Sequence, residues 1–69
     1  MLTLKQYRSN LGWSVNQLQE ETGLSYYAVT NAEKGRPIRA KTAKVIADVL
    51  SKALGEKVLV SDIEGLNIQ

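Results

Sequence analysis

The sequence predicts an all-α domain of five short helices, and three observations carry that expectation. Each of the five glycines, Gly12, Gly23, Gly35, Gly55 and Gly65, follows a segment of helical periodicity, where glycine accepts a left-handed stop at little cost. Three hydroxyl residues stand three positions ahead of a Gln or Glu, the spacing of a capping box: Thr3 with Gln6, Ser14 with Gln17, and Ser61 with Glu64. Beyond Ala40, the residues Val45, Ile46, Val49, Leu50, Ala53 and Leu54 recur at the i, i+3, i+4, i+7 spacing of one broad apolar stripe.

Helix 1 is predicted over residues 4–11, with Leu4, Tyr7 and Leu11 on one stripe, and helix 2 over 15–22 around Leu18. Helix 3 follows Ser25 and covers 26–34; Leu24 and Val29 occupy the two positions of a hydrophobic staple, and Gly35 stops it. Helix 4, over 40–54, is the longest and most apolar and is expected to be the scaffold. The run Lys57-Val-Leu-Val60 is β-branched enough for a strand, but a lone strand has no visible partner, so extended loop is expected there. A short helix 5 over 62–66 closes the series, with Asn67 to Gln69 expected to fray.

Composition bounds the function. A chain of 69 residues with 43% hydrophobic and 23% charged residues suits one small globular domain, 1–69, rather than disorder. It has no cysteine and no histidine, so disulfides, the usual zinc ligands and the commonest general base are missing. Its seven acids are scattered, and no catalytic constellation emerges. The expectation is a protein that is not an enzyme, with no metal, no cofactor and no small-molecule ligand. No apolar run reaches the roughly 20 residues of a membrane span, and the start lacks a signal-peptide core, so a cytoplasmic address and no membrane partner are expected.

The net charge is only +2, but its distribution is informative. Lys34, Arg36, Arg39, Lys41 and Lys44, five of the nine basic residues, fall within eleven residues that contain no acid. With Val29 facing inward and about 100° per residue, Tyr27, Thr30, Asn31 and Lys34 point outward and Tyr26 lies on the border. A helix that offers hydrogen-bonding side chains at its first turns, flanked by a basic loop, has what reading of a DNA major groove requires. The alternative is that the tyrosines are half-buried surface.

From Leu4 to about Asp62 the chain resembles the Cro/C1-type (XRE) helix-turn-helix regulators of phage and bacteria. The matching residues are Leu11-Gly-Trp-Ser14, Leu18, Thr22-Gly-Leu-Ser25, Val29 and Glu33-Lys-Gly35, followed by a long apolar helix. The resemblance implies a compact five-helix, lambda-repressor-like domain whose helices 2 and 3 form the helix-turn-helix. It implies base reading by Tyr26, Tyr27, Thr30 and Asn31, whose hydroxyls, amide and rings suit base edges and thymine methyls. Arg8 and Glu33 match a family ion pair that orients the arginine toward phosphate. Arg8, Ser14, Asn16, Lys34, Arg36, Arg39 and Lys41 are the expected phosphate contacts.

The chain departs from the pattern at Val15, where the family usually carries a glutamine that braces the backbone contact, and at Gln19, where it prefers alanine at the crossing of helices 2 and 3. Gln19 is expected to widen that crossing or bend outward. Trp13 matches an apolar family position and is expected to plug the core, while Glu20 and Glu21 are expected to face solvent.

The implied function is sequence-specific binding of double-stranded DNA by a transcriptional regulator, a repressor by resemblance, acting as a homodimer on half-sites about one helical turn apart. Val58, Leu59, Val60, Ile63, Leu66 and Ile68 either make the dimer contact or close the core beneath helix 1. The rival readings are a protein-interaction module of antitoxin or coactivator type and a recombination accessory factor.

Overall fold

Hydroxyl caps and glycine stops divide the chain where their chemistry dictates. The computed structural model describes residues 2–69 and contains four α-helices: α1 Leu4–Asn10, α2 Val15–Thr22, α3 Tyr26–Glu33 and α4 Ala40–Leu54. The Thr3 hydroxyl accepts from the Gln6 amide at 3.2 Å while Gln6 Oε1 accepts from the Thr3 amide at 2.9 Å, a complete capping box. Ser14 makes only half of one: its Oγ accepts from the Gln17 amide at 3.1 Å, but the Gln17 side chain turns to Glu21 at 3.3 Å. Ser25 Oγ accepts from the Ala28 amide at 3.1 Å and starts α3.

Glycine is required most clearly at Gly35. The Gly35 amide donates to Ala32 O and the Arg36 amide to Asn31 O at 2.9 Å, the paired bonds of a Schellman motif that closes α3 and turns the chain sharply. The φ of Gly35 is +74°, and a Cβ there would meet Gly65 O at 3.4 Å, an ordinary contact, so the torsion and not space demands glycine. Gly35→Ala is therefore expected to lower stability by about 1–2 kcal/mol. A urea titration with an unchanged slope would show the loss as an earlier midpoint.

The predicted fifth helix is corrected. Residues Val60–Asp62 form a single 3-10 turn, and the chain then becomes extended. Asp62, not Ser61, supplies the cap, its Oδ2 accepting from the Leu59 amide at 3.0 Å. Four two-residue strands complete the fold: β1 Leu2–Thr3, β2 Pro37–Ile38, β3 Ile63–Glu64 and β4 Asn67–Ile68. β1 pairs in parallel with β3, and β2 in parallel with β4, with Leu2 opposite Ile63 and Pro37 opposite Asn67. Residues 67–69 are thus held rather than frayed, and the Gln69 amide donates to Ile38 O at 2.9 Å.

The core gathers Leu4, Leu18, Val29, Ala32, Ile38, Ala43, Ile46, Ala47, Leu50, Val58 and Ile63. Every helix contributes, and α4 supplies the middle with Ala43, Ile46, Ala47 and Leu50. Of the two roles open to the C-terminal apolar residues, Val58 and Ile63 are buried and Val60 and Leu66 pack on the core, whereas Leu59 and Ile68 stay exposed. The segment between α4 and the 3-10 turn is tied down by Ser51, whose Oγ accepts from the Val58 amide at 2.8 Å. Trp13 is half-buried against the core rather than a full plug. No helix among the described residues is long and apolar enough to cross a membrane.

Candidate nucleic-acid interface

Helix α3 buries Val29 and Ala32 and turns its opposite flank outward. Tyr26 is 54% and Tyr27 77% exposed, so both phenol rings stand in solvent. Their centroids lie 6.4 Å apart with the planes at 76°, an edge-to-face pair. One turn on, Thr30 Oγ1 donates to Tyr26 O at 2.9 Å and also lies 3.3 Å from Tyr27 O. Its single proton is spent on the helix backbone, leaving the methyl group and lone pairs for a ligand. Asn31 is half-buried, and its side-chain amide makes no hydrogen bond among the described residues.

Asn31 also lines an open hollow of about 360 Å³ together with Ala28, Pro37, Ile38, Arg39, Thr42 and Gln69. Thr42 was not among the site residues expected from sequence. Its place in the first turn of α4, three positions after Arg39, was the available signal.

The cations flank this helix. Lys34 ends α3, Arg36 follows the Schellman turn, Arg39 caps α4 without a side-chain capping bond, and Lys41 lies in the first turn of α4. All four are exposed and make no ion pair among the described residues. Lys44 differs: it pairs with Asp48 at 3.3 Å, one turn along α4. The loop carrying Arg36 and Arg39 is held on one side by the Arg36–Asn31 backbone bond and on the other by the β2–β4 pair.

Arg8 is braced from inside. Its Nε donates to Glu33 Oε2 at 2.8 Å, its Nη2 to Glu33 Oε1 at 3.1 Å, and its Nη1 to Trp13 O at 3.0 Å. The pair ties α1 to the last turn of α3, with side chains only 14% and 12% exposed. Three of the five guanidinium N–H groups are occupied, leaving two for a phosphate. Ser14 and Asn16 are exposed at the start of α2, and the Ser14 hydroxyl proton is unspent. Val15 packs on the core, while Gln19 is half-buried with no side-chain hydrogen bond. Glu20 and Glu21 are both exposed, Glu21 beside Lys52 and Ala53 on a groove that shares no residue with the tyrosine face.

Two helices joined by a tight glycine turn, the second showing an uncharged polar face between exposed cations, define a helix-turn-helix domain. The family model described as Helix-turn-helix (HTH_3) matches residues 4–57. The chain belongs to this family, the Cro/C1-type (XRE) helix-turn-helix proteins, and is a DNA-binding regulator of transcription. No match is found among curated proteins or among solved structures.

Proposed function

We propose that the protein is a sequence-specific repressor that inserts α3 into the major groove of double-stranded DNA and binds as a homodimer to two half-sites about one helical turn apart. The observation that carries the reading is the outward display of Tyr26, Tyr27, Thr30 and Asn31 between unpaired cations. Bases are read by those four side chains. Lys34, Arg36, Arg39 and Lys41 take phosphates on one flank, and Arg8, Ser14 and Asn16 take them on the other. The first amides of α4, which have no side-chain cap, add donors beside Arg39 and Lys41. Repression follows from occupancy, because a bound dimer denies the same DNA to polymerase.

Salt dependence tests this. With about four phosphates neutralised per subunit, a dimer on duplex DNA is expected to show a slope of log K against log salt near −7, at roughly −0.9 per phosphate. Fluorescence anisotropy from low to moderate salt measures it. A slope near zero would shift the reading to a protein partner, for which exposed tyrosines also suit. Arg36→Ala and Lys41→Ala are expected to weaken all sequences alike, and each, by removing one phosphate contact from both subunits, to make the slope shallower by about 2.

A further inference from the structure

We infer that the half-site read by α3 has an A·T core, with a thymine 5-methyl group seated in the corner between the Tyr26 and Tyr27 rings and an adenine edge bound by Asn31. The inference rests on the major-groove reading above and specifies the sequence that this surface takes.

The argument starts from what each base shows in the groove. Guanine offers two acceptors, N7 and O6, and is bound best by a side chain with two donors, arginine or lysine. Adenine offers an acceptor and a donor, which a carboxamide matches with its own NH₂ and C=O, and thymine adds a methyl group. The face of α3 carries no arginine. Its one cation, Lys34, lies at the far end of the helix, about 10 Å along the axis from Tyr27 at 1.5 Å per residue, next to Arg36 in the phosphate-facing loop. The first turns, which reach base edges most directly, hold two phenols, a threonine and a carboxamide.

The structure narrows these further. Asn31 has both halves of its amide unspent among the described residues and so can present donor and acceptor together. Thr30 cannot donate while its proton stays on Tyr26 O, so it contributes a methyl group that suits a thymine methyl and an acceptor that suits the amine of adenine or cytosine, and it offers nothing to the guanine acceptors. The tyrosine rings, held nearly perpendicular and largely exposed, form an apolar corner next to polar hydroxyls. A methyl group fills such a corner and leaves water, whereas cytosine, with only C5–H at that place, leaves it unfilled and guanine would set its N7 and O6 acceptors against it.

Selection from a random duplex library gives the half-site, and base analogues then test it on the wild-type protein. Replacing the thymine facing the tyrosines by deoxyuridine removes only the methyl group and is expected to weaken binding about threefold to fivefold, the value of one buried carbon. Replacing the adenine opposite Asn31 by 7-deazaadenine is expected to weaken it about tenfold, and Asn31→Ala should make the protein indifferent to that change. In Tyr27→Ala the deoxyuridine penalty should vanish, whereas in Tyr27→Phe, which keeps the ring, it should persist. All substituted side chains lie on the outward face, and far-ultraviolet circular dichroism checks that the fold is kept. A selected site with a G·C core, or a thymine-to-deoxyuridine change without effect, overturns the inference and leaves major-groove reading standing. Failure to bind any duplex overturns that reading and the inference with it.

Discussion

Glu33→Ala is expected to destabilise the fold by about 3 kcal/mol, because it strips a mostly buried guanidinium of the partner that holds two of its N–H groups. The charge itself is the source of the penalty. Arg8 stays beneath the Trp13 carbonyl, desolvated and with nothing to neutralise it. A chain of 69 residues has a total stability of about 3–10 kcal/mol, so this one change approaches the whole margin. Thermal and urea unfolding measure the loss. The double variant Arg8→Met with Glu33→Leu, which removes both charges and keeps apolar volume, should recover most of it. DNA affinity of that rescued double variant then tests the phosphate contact proposed for Arg8: a fold restored with affinity still reduced supports that contact, and full affinity removes it.

Leu50→Ala is the second large effect, about 2–5 kcal/mol. Leu50 is fully buried in α4, among residues from the other elements of a core too small to collapse onto the void. The denaturation midpoint should fall with the slope unchanged if the folded state stays intact. Leu59→Ala is the matched control. Its side chain is exposed, so the same kind of truncation should change stability by less than about 0.5 kcal/mol. Similar losses from the two would mean that the core is not centred on α4.

The contrast between α3 and the C-terminal segment shows what was legible in the sequence. Everything that forms α3 is local: Ser25 caps it, Val29 and Ala32 face inward, and Gly35 ends it, so stepping along the helix put Tyr27 outside. The segment after Ser61 carries an equally local helix signal and yet does not form one. Asp62 capped the Leu59 amide instead, and Ile63–Glu64 found Leu2–Thr3, a partner at the opposite end of the described chain that no periodicity reveals. Residues 67–68 likewise gained order only from Pro37–Ile38. In the site, the Arg8–Glu33 pair was legible only through the family resemblance, since spacing does not show that α1 and the end of α3 meet. The spent proton of Thr30 depends on a side-chain rotamer, which sequence does not state. The Lys44–Asp48 pair is readable from its i, i+4 spacing and removes Lys44 from the unpaired cations of the basic run.

The two parallel strand pairs also govern how the molecule comes into being. Both join segments far apart along the polymer, and closing such long loops is slow compared with winding a helix. On the ribosome, α1 to α4 can therefore wind while the arm bearing Arg36 and Arg39 still lacks its clamp, which arrives only with Asn67 and Ile68. A folding chain thus acquires its helices before the pairing that fixes the loop between α3 and α4, and the order of that loop is set by residues about thirty positions further along.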